Sequence, residues 1–134
     1  MKQTLDEESI HGLVHYRIQR SKETMLEAGL MIDKGYLNGA MNRLYYACYY
    51  SVSAFLIQNG ISAQTHGGTK QMLGLHFVVT DKISPKTSNI YSTLFEKRHS
   101  SDYEDYVYYD VETVELLYTQ AYDFLETIEK LLVN

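Results

Sequence analysis

Apolar residues recur every three or four positions along most of this chain, a spacing that predicts helices rather than strands. Val14, Ile18, Met25, Ala28 and Ile32 form one such row, with Ser21 as its small polar member. Upstream, Thr4-Leu5-Asp6-Glu7 fits a capping box, so a first helix is expected to start near Thr4. Asp33-Lys34-Gly35 ends it, and Gly35 suits a left-handed cap. A second helix is predicted from about Tyr36 to the stop signal Asn59-Gly60. One of its rows is Leu37, Met41, Leu44, Cys48, Ser51 and Phe55; another is Tyr45, Tyr49, Val52 and Leu56; a third is Arg43, Tyr46, Tyr50, Ser53 and Ile57. A helix apolar or aromatic nearly all round is buried on several sides, so this one is either central in a bundle or part of a dimer interface.

Residues 60–67 then read as a loop, and Leu73, Leu75, Phe77, Val78 and Val79 mark a short third helix, with a strand as the alternative for its β-branched end. Ser84-Pro85 is a strong start signal for the next helix, which Ile90, Tyr91, Leu94 and Phe95 carry to Arg98. A polar loop is expected after Arg98. Asp110 can cap a last helix, along which Val114, Leu117, Ala121, Phe124, Ile128 and Leu131 keep three-four spacing. The fold class expected is all-α: an antiparallel bundle of four main helices plus a short extra helix, forming a single domain over residues 1–134.

Composition narrows the function. A net charge of −5 argues against a broad electrostatic grip on nucleic acid but leaves room for a small phosphate site. The single cysteine, Cys48, excludes an intramolecular disulfide. No apolar run is long enough for a membrane span, and the polar, acidic start does not resemble a secretory signal, so a cytoplasmic protein without membrane association is expected. The 13 tyrosines suit half-wet clefts, because each combines a large apolar body with a polar tip.

Candidate chemistry is concentrated in 96–110, which holds one aliphatic residue among acids and tyrosines. Arginine can hold a phosphate by charge and forked hydrogen bonds, and histidine can take a proton from a ribose 2′-hydroxyl near neutral pH. Arg98 and His99 are therefore the candidate catalytic pair for RNA cleavage. The plain alternative is an Arg98–Asp102 ion pair closing the helix end. Arg43, on the face of Tyr46 and Tyr50, needs a carboxylate, a phosphate or water. Thr65-His66-Gly67-Gly68-Thr69-Lys70 lacks the order and the preceding strand of a Walker loop and reads as a turn opening a helix, where exposed N–H groups could still hold an anion. His11 and His15 lie one turn apart, but glycine occupies the glutamate position of HExxH and no third ligand is near; they read as surface histidines, and neither a metal nor another cofactor is expected.

Four segments together resemble the HEPN domains: Ala28–Tyr36, Asn42-Arg43-Leu44-Tyr45-Tyr46-Ala47, Thr65-His66-Gly67-Gly68, and Arg98-His99-Ser100-Ser101-Asp102-Tyr103. The resemblance implies a bundle of four or five helices, a homodimer, and for many relatives a neighbouring minimal nucleotidyltransferase in a toxin–antitoxin pair. Active members are metal-independent endoribonucleases with an arginine, a polar residue and a later histidine. Arg98 and His99 match the first two, but Tyr103 stands where that histidine falls. Tyrosine, with an ordinary pKa of about 10, is a poor base at neutral pH. The expectation is therefore a domain that binds a nucleotide, RNA or a protein partner through Arg43, Tyr46, His66, Arg98, His99, Asp102 and Tyr103. A ribonuclease using Arg98 with His99 or His66, and a purely structural adaptor, are the alternatives.

Overall fold

The computed structural model describes residues 6–132. Helix α1 spans Glu7–Asp33, α2 Leu37–Gln58, α3 His66–Leu73, α4 Pro85–Tyr103 and α5 Val111–Leu132, and there is no strand among the described residues. Thr4 lies outside them. The first helix is capped instead by Asp6, whose carboxylate accepts from the Ser9 N–H at 2.7 Å. Asp110 does the same for α5, accepting from Thr113 N–H at 2.7 Å.

Both expected glycine stops hold for one geometric reason. Gly35 (φ 81°) and Gly60 (φ 73°) adopt left-handed backbone. Each closes a Schellman motif, with Tyr36 N–H bonded to Met31 C=O at 2.8 Å and Ile61 N–H to Leu56 C=O at 2.9 Å. The chain departs from expectation in the middle. His66 and Gly67 are helical rather than loop, because Thr65 caps α3 by accepting from Gly68 N–H at 2.8 Å. The apolar run 73–79 then continues as a single π-helical turn, Gly74–Val78, which Asp81 ends with positive φ. α4 also runs past Arg98 to Tyr103, since no breaker intervenes and side chains one turn apart face each other along it.

α2 is the central helix. It packs against α1, α3, α4 and α5, which explains why its sequence has no wholly polar face. Leu44, Cys48, Val52, Leu94, Val114, Ala121, Phe124 and Ile128 have no exposed surface. Ser21 donates to the Ala47 carbonyl at 2.8 Å, which satisfies the small polar member of the α1 row where α1 crosses α2.

Candidate functional site

Tyr91, Leu94 and Arg98 share one stripe of α4, and all three are buried against the bundle. An apolar residue would ordinarily continue that stripe; Arg98 stands there instead, 7% exposed. Its guanidinium lies 4.8 Å from the ring centre of Tyr45 and 5.7 Å from that of Tyr46. These aromatic faces attract the cation that burial would otherwise destabilise. Among the described residues, only Nη1 reaches a carboxylate, Asp102 at 3.3 Å, and Nε is buried with no hydrogen-bond partner. The expected helix-end pair therefore exists but leaves the guanidinium incompletely satisfied.

Asp102 extends this network across the bundle. The same carboxylate oxygen accepts from Asn42 at 3.3 Å; Asn42 Oδ1 accepts from Arg43 Nη2 at 2.7 Å, and Arg43 reaches Glu27 of α1 at 3.4 Å. Arg43 also lies over Tyr46, at 5.2 Å. Beside this network an open groove of about 710 Å³ is lined by Glu27, Asn38, Asn42, Arg43, Ser101 and Asp102.

Tyr45, Tyr46, Tyr49 and Tyr50 form a continuous ridge of ring contacts along α2. His66 is carried onto it by the first turn of α3. Its imidazole packs 4.5 Å from the Tyr49 ring, and its Nδ1 is 2.7 Å from the Tyr45 hydroxyl. Tyr91 is 3.4 Å from that same hydroxyl. Burial and the nearby Arg98 charge hold the His66 pKa below its ordinary 6.5. Burial pushes the Tyr45 phenol up to about 12, so it keeps its proton.

Arg43, Tyr46, His66, Arg98 and Asp102 thus converge. His99 and Tyr103 do not join them. They occupy the next stripe of α4, pack on each other at 4.9 Å and face outward, with Tyr103 70% exposed. Side chains adjacent in a helix point about 100° apart, so Arg98 and His99 cannot share a target merely by being neighbours. Sequence reasoning missed Arg17 and Arg20 of α1. Arg17 donates to Ser53 C=O at 3.3 Å, and Arg20 lies 5.3 Å from the Tyr50 ring centre. Their spacing with Ser21 and Thr24 on α1 was the available signal. His11 and His15 are exposed, and no trio of His, Cys, Asp or Glu among the described residues could hold a metal ion.

The depressed His66 pKa has a consequence for stability. Between the lowered folded value and 6.5 the unfolded chain binds more protons, so stability is retained above pH 6.5 and is lost as pH falls below it. His66→Gln is expected to have a smaller drop in melting temperature between pH 7.5 and 5 than the native chain. Identical drops would show that His66 protonation is not coupled to folding.

Comparisons with known proteins agree with this architecture. A family model described as HEPN domain matches residues 14–131. A "UPF0332 protein" of Thermotoga maritima is 34% identical over 90% of this chain and 91% of its own length. The "Putative toxin MJ0142" of Methanocaldococcus jannaschii is 21% identical, covering 87% of this chain and 80% of its own. The "Putative toxin MJ0605" of the same organism is 26% identical, covering 86% and 85%. With nearly the whole helical bundle matched, the chain belongs to the HEPN domain family.

Proposed function

We propose that residues 1–134 act as one HEPN-type, toxin-like domain that binds RNA by a backbone phosphate at Arg98. The observation that carries this reading is a guanidinium buried on Tyr45 and Tyr46 with only one nitrogen paired to a carboxylate. Burying such a cation is costly unless its donors are used, and a phosphate uses them in a forked geometry. The tyrosine ridge supports single-stranded RNA in particular. Unstacked bases lie on aromatic rings, and Arg20 and Arg43, paired with Glu23 and Glu27 of α1, lie over the Tyr50 and Tyr46 rings of the ridge. The two relatives whose printed names include "toxin" support a toxin-like role. Titrating a fluorescent single-stranded oligoribonucleotide with native protein and with Arg98→Ala tests the reading; equal affinities would end it.

The partners proposed are a second copy of the chain and a nucleotidyltransferase-like antitoxin, in the cytoplasm. No helix among the described residues is long and apolar enough to cross a membrane. Leu26 and Leu30 support self-association: they sit one turn apart on α1, 69% and 65% exposed, beside a groove against α5. Small-angle scattering is expected to give twice the 15.5 kDa chain mass. A strict monomer at high concentration would refute the dimer.

A further inference from the structure

We propose that a small pocket at Arg17, where α1, α2 and α3 meet, takes the terminal phosphate of the RNA strand, a phosphate monoester at its 5′ or 3′ end. The domain thereby distinguishes strands with a phosphate end from strands with hydroxyl ends. The inference rests on the binding reading above and adds a second phosphate site to it.

Arg17 differs from the other three arginines of the chain. Arg20, Arg43 and Arg98 each reach a carboxylate. Among the described residues Arg17 reaches none, and its one hydrogen bond runs from Nη1 to the Ser53 carbonyl at 3.3 Å. A neutral carbonyl orients the guanidinium without balancing its charge, and most of its N–H donors stay unused. The side chain is nevertheless half-buried, and burial lowers its pKa, as it does for a cation with no anion beside it. The sequence explains why no carboxylate is near. No Asp or Glu occurs between Asp33 and Asp81, on a chain with 17 of them. That stretch supplies every wall of the pocket except Arg17 itself.

The pocket measures about 110 Å³, and Arg17, Tyr49, Ser53, Ile61, Ser62 and Thr69 line it. Pockets that take a whole small molecule measure about 300–1,000 Å³, so this one has room for a group rather than a nucleoside. A phosphate fits its chemistry. The guanidinium offers forked hydrogen bonds, and Ser53 and Ser62 bring hydroxyl donors. An internal phosphodiester carries a nucleoside on both sides, which a pocket this small excludes; a terminal monoester carries one. The monoester also brings more charge, about −1.5 to −2 at pH 7. Tyr49 ties the pocket to the ridge. It is a wall of the pocket, and its ring lies 6.0 Å from the Tyr45 ring and 4.5 Å from His66. A strand stacked along the ridge from Arg98 thus meets Arg17 at its end.

The test uses full-length protein and three single-stranded oligoribonucleotides of one sequence, each labelled internally with a fluorophore. One carries a 5′-phosphate, one a 3′-phosphate, and one hydroxyls at both ends. Native protein is expected to bind one of the phosphate-ended strands about tenfold more tightly than the hydroxyl-ended strand, as one charge-assisted hydrogen bond suffices to give. The strand that gains identifies the end held. Arg17→Met is expected to bind all three alike. Arg98→Ala should weaken all three and keep the ratio between them. If Arg17→Met is poorly folded by circular dichroism, Ser62→Asp takes its place: Ser62 is exposed, and a carboxylate there repels the phosphate and should erase the preference. Native protein that binds the three strands alike overturns the Arg17 proposal and leaves the binding reading intact. A preference that survives unchanged in the folded variant does the same. Native protein that binds no strand refutes the binding reading itself, and the proposal with it.

Discussion

Arg98→Ala should weaken binding of single-stranded RNA by about a hundredfold. Hydrogen bonds to a charged partner are worth about 1.5–3 kcal/mol each, and about 1.4 kcal/mol is a factor of ten in affinity. Losing a forked contact to one phosphate therefore accounts for that loss. Arg98→Lys should fall between the two, because it keeps the charge and loses the fork. Asp102→Asn should move affinity the other way, strengthening it a few-fold, since the carboxylate 3.3 Å from Arg98 repels an incoming phosphate. A pure helix-end ion pair predicts no such opposition. The stability cost of Arg98→Met should be small, because methionine refills the buried space over Tyr45 and Asp102, 30% exposed, keeps Asn42 and water as partners. The site assignment fails if Arg98→Ala binds within threefold of native, or if the arginine and aspartate variants change affinity in the same direction.

Phe124→Ala is expected to be the most destabilising of the changes considered, at about 3–5 kcal/mol. Phe124 has no exposed surface and stacks on Tyr91, which in turn meets Tyr45. Removing its ring leaves a cavity between α5, α4 and α2 that rigid helices cannot close. Urea unfolding would measure the loss, and a value under 1 kcal/mol would mean that the bundle collapses around the gap. The same variant links packing to the site: with Tyr91 unsupported, the Tyr45–His66 bond should loosen. The acid sensitivity of folding attributed to His66 should then shrink as well.

The helices of this protein were legible because their signals are local. Ser84-Pro85, Asp110, Gly35 and Gly60 each act within a few residues, through caps and left-handed turns. The even spacing of Val114, Leu117, Ala121, Phe124 and Ile128 marked a buried stripe that the bundle does bury. The departures from the expected boundaries are local too. The side chain of Thr65 caps a helix that starts at His66, inside the expected loop, and α4 extends beyond Arg98 through the residues read as loop.

The site divides along the same line. Sequence alone determined the bundle, the burial of α2 on several sides, and the choice of Arg43, Tyr46, His66, Arg98, His99, Asp102 and Tyr103 as candidates. The tertiary structure decided which of these meet. Arg98 and His99 are neighbours in the chain, yet the helical rotation between them sends one into the tyrosine ridge and the other outward. His66 and Tyr45, Tyr45 and Tyr91, and Asn42 and Asp102 are far apart in sequence and within hydrogen-bonding reach in space. Arg17 reaches the Ser53 carbonyl and Arg20 the Tyr50 ring only because α1 packs along α2. Periodicity records which face of a helix is buried; what that face is buried against depends on contacts between helices, and short-range spacing carries no record of those.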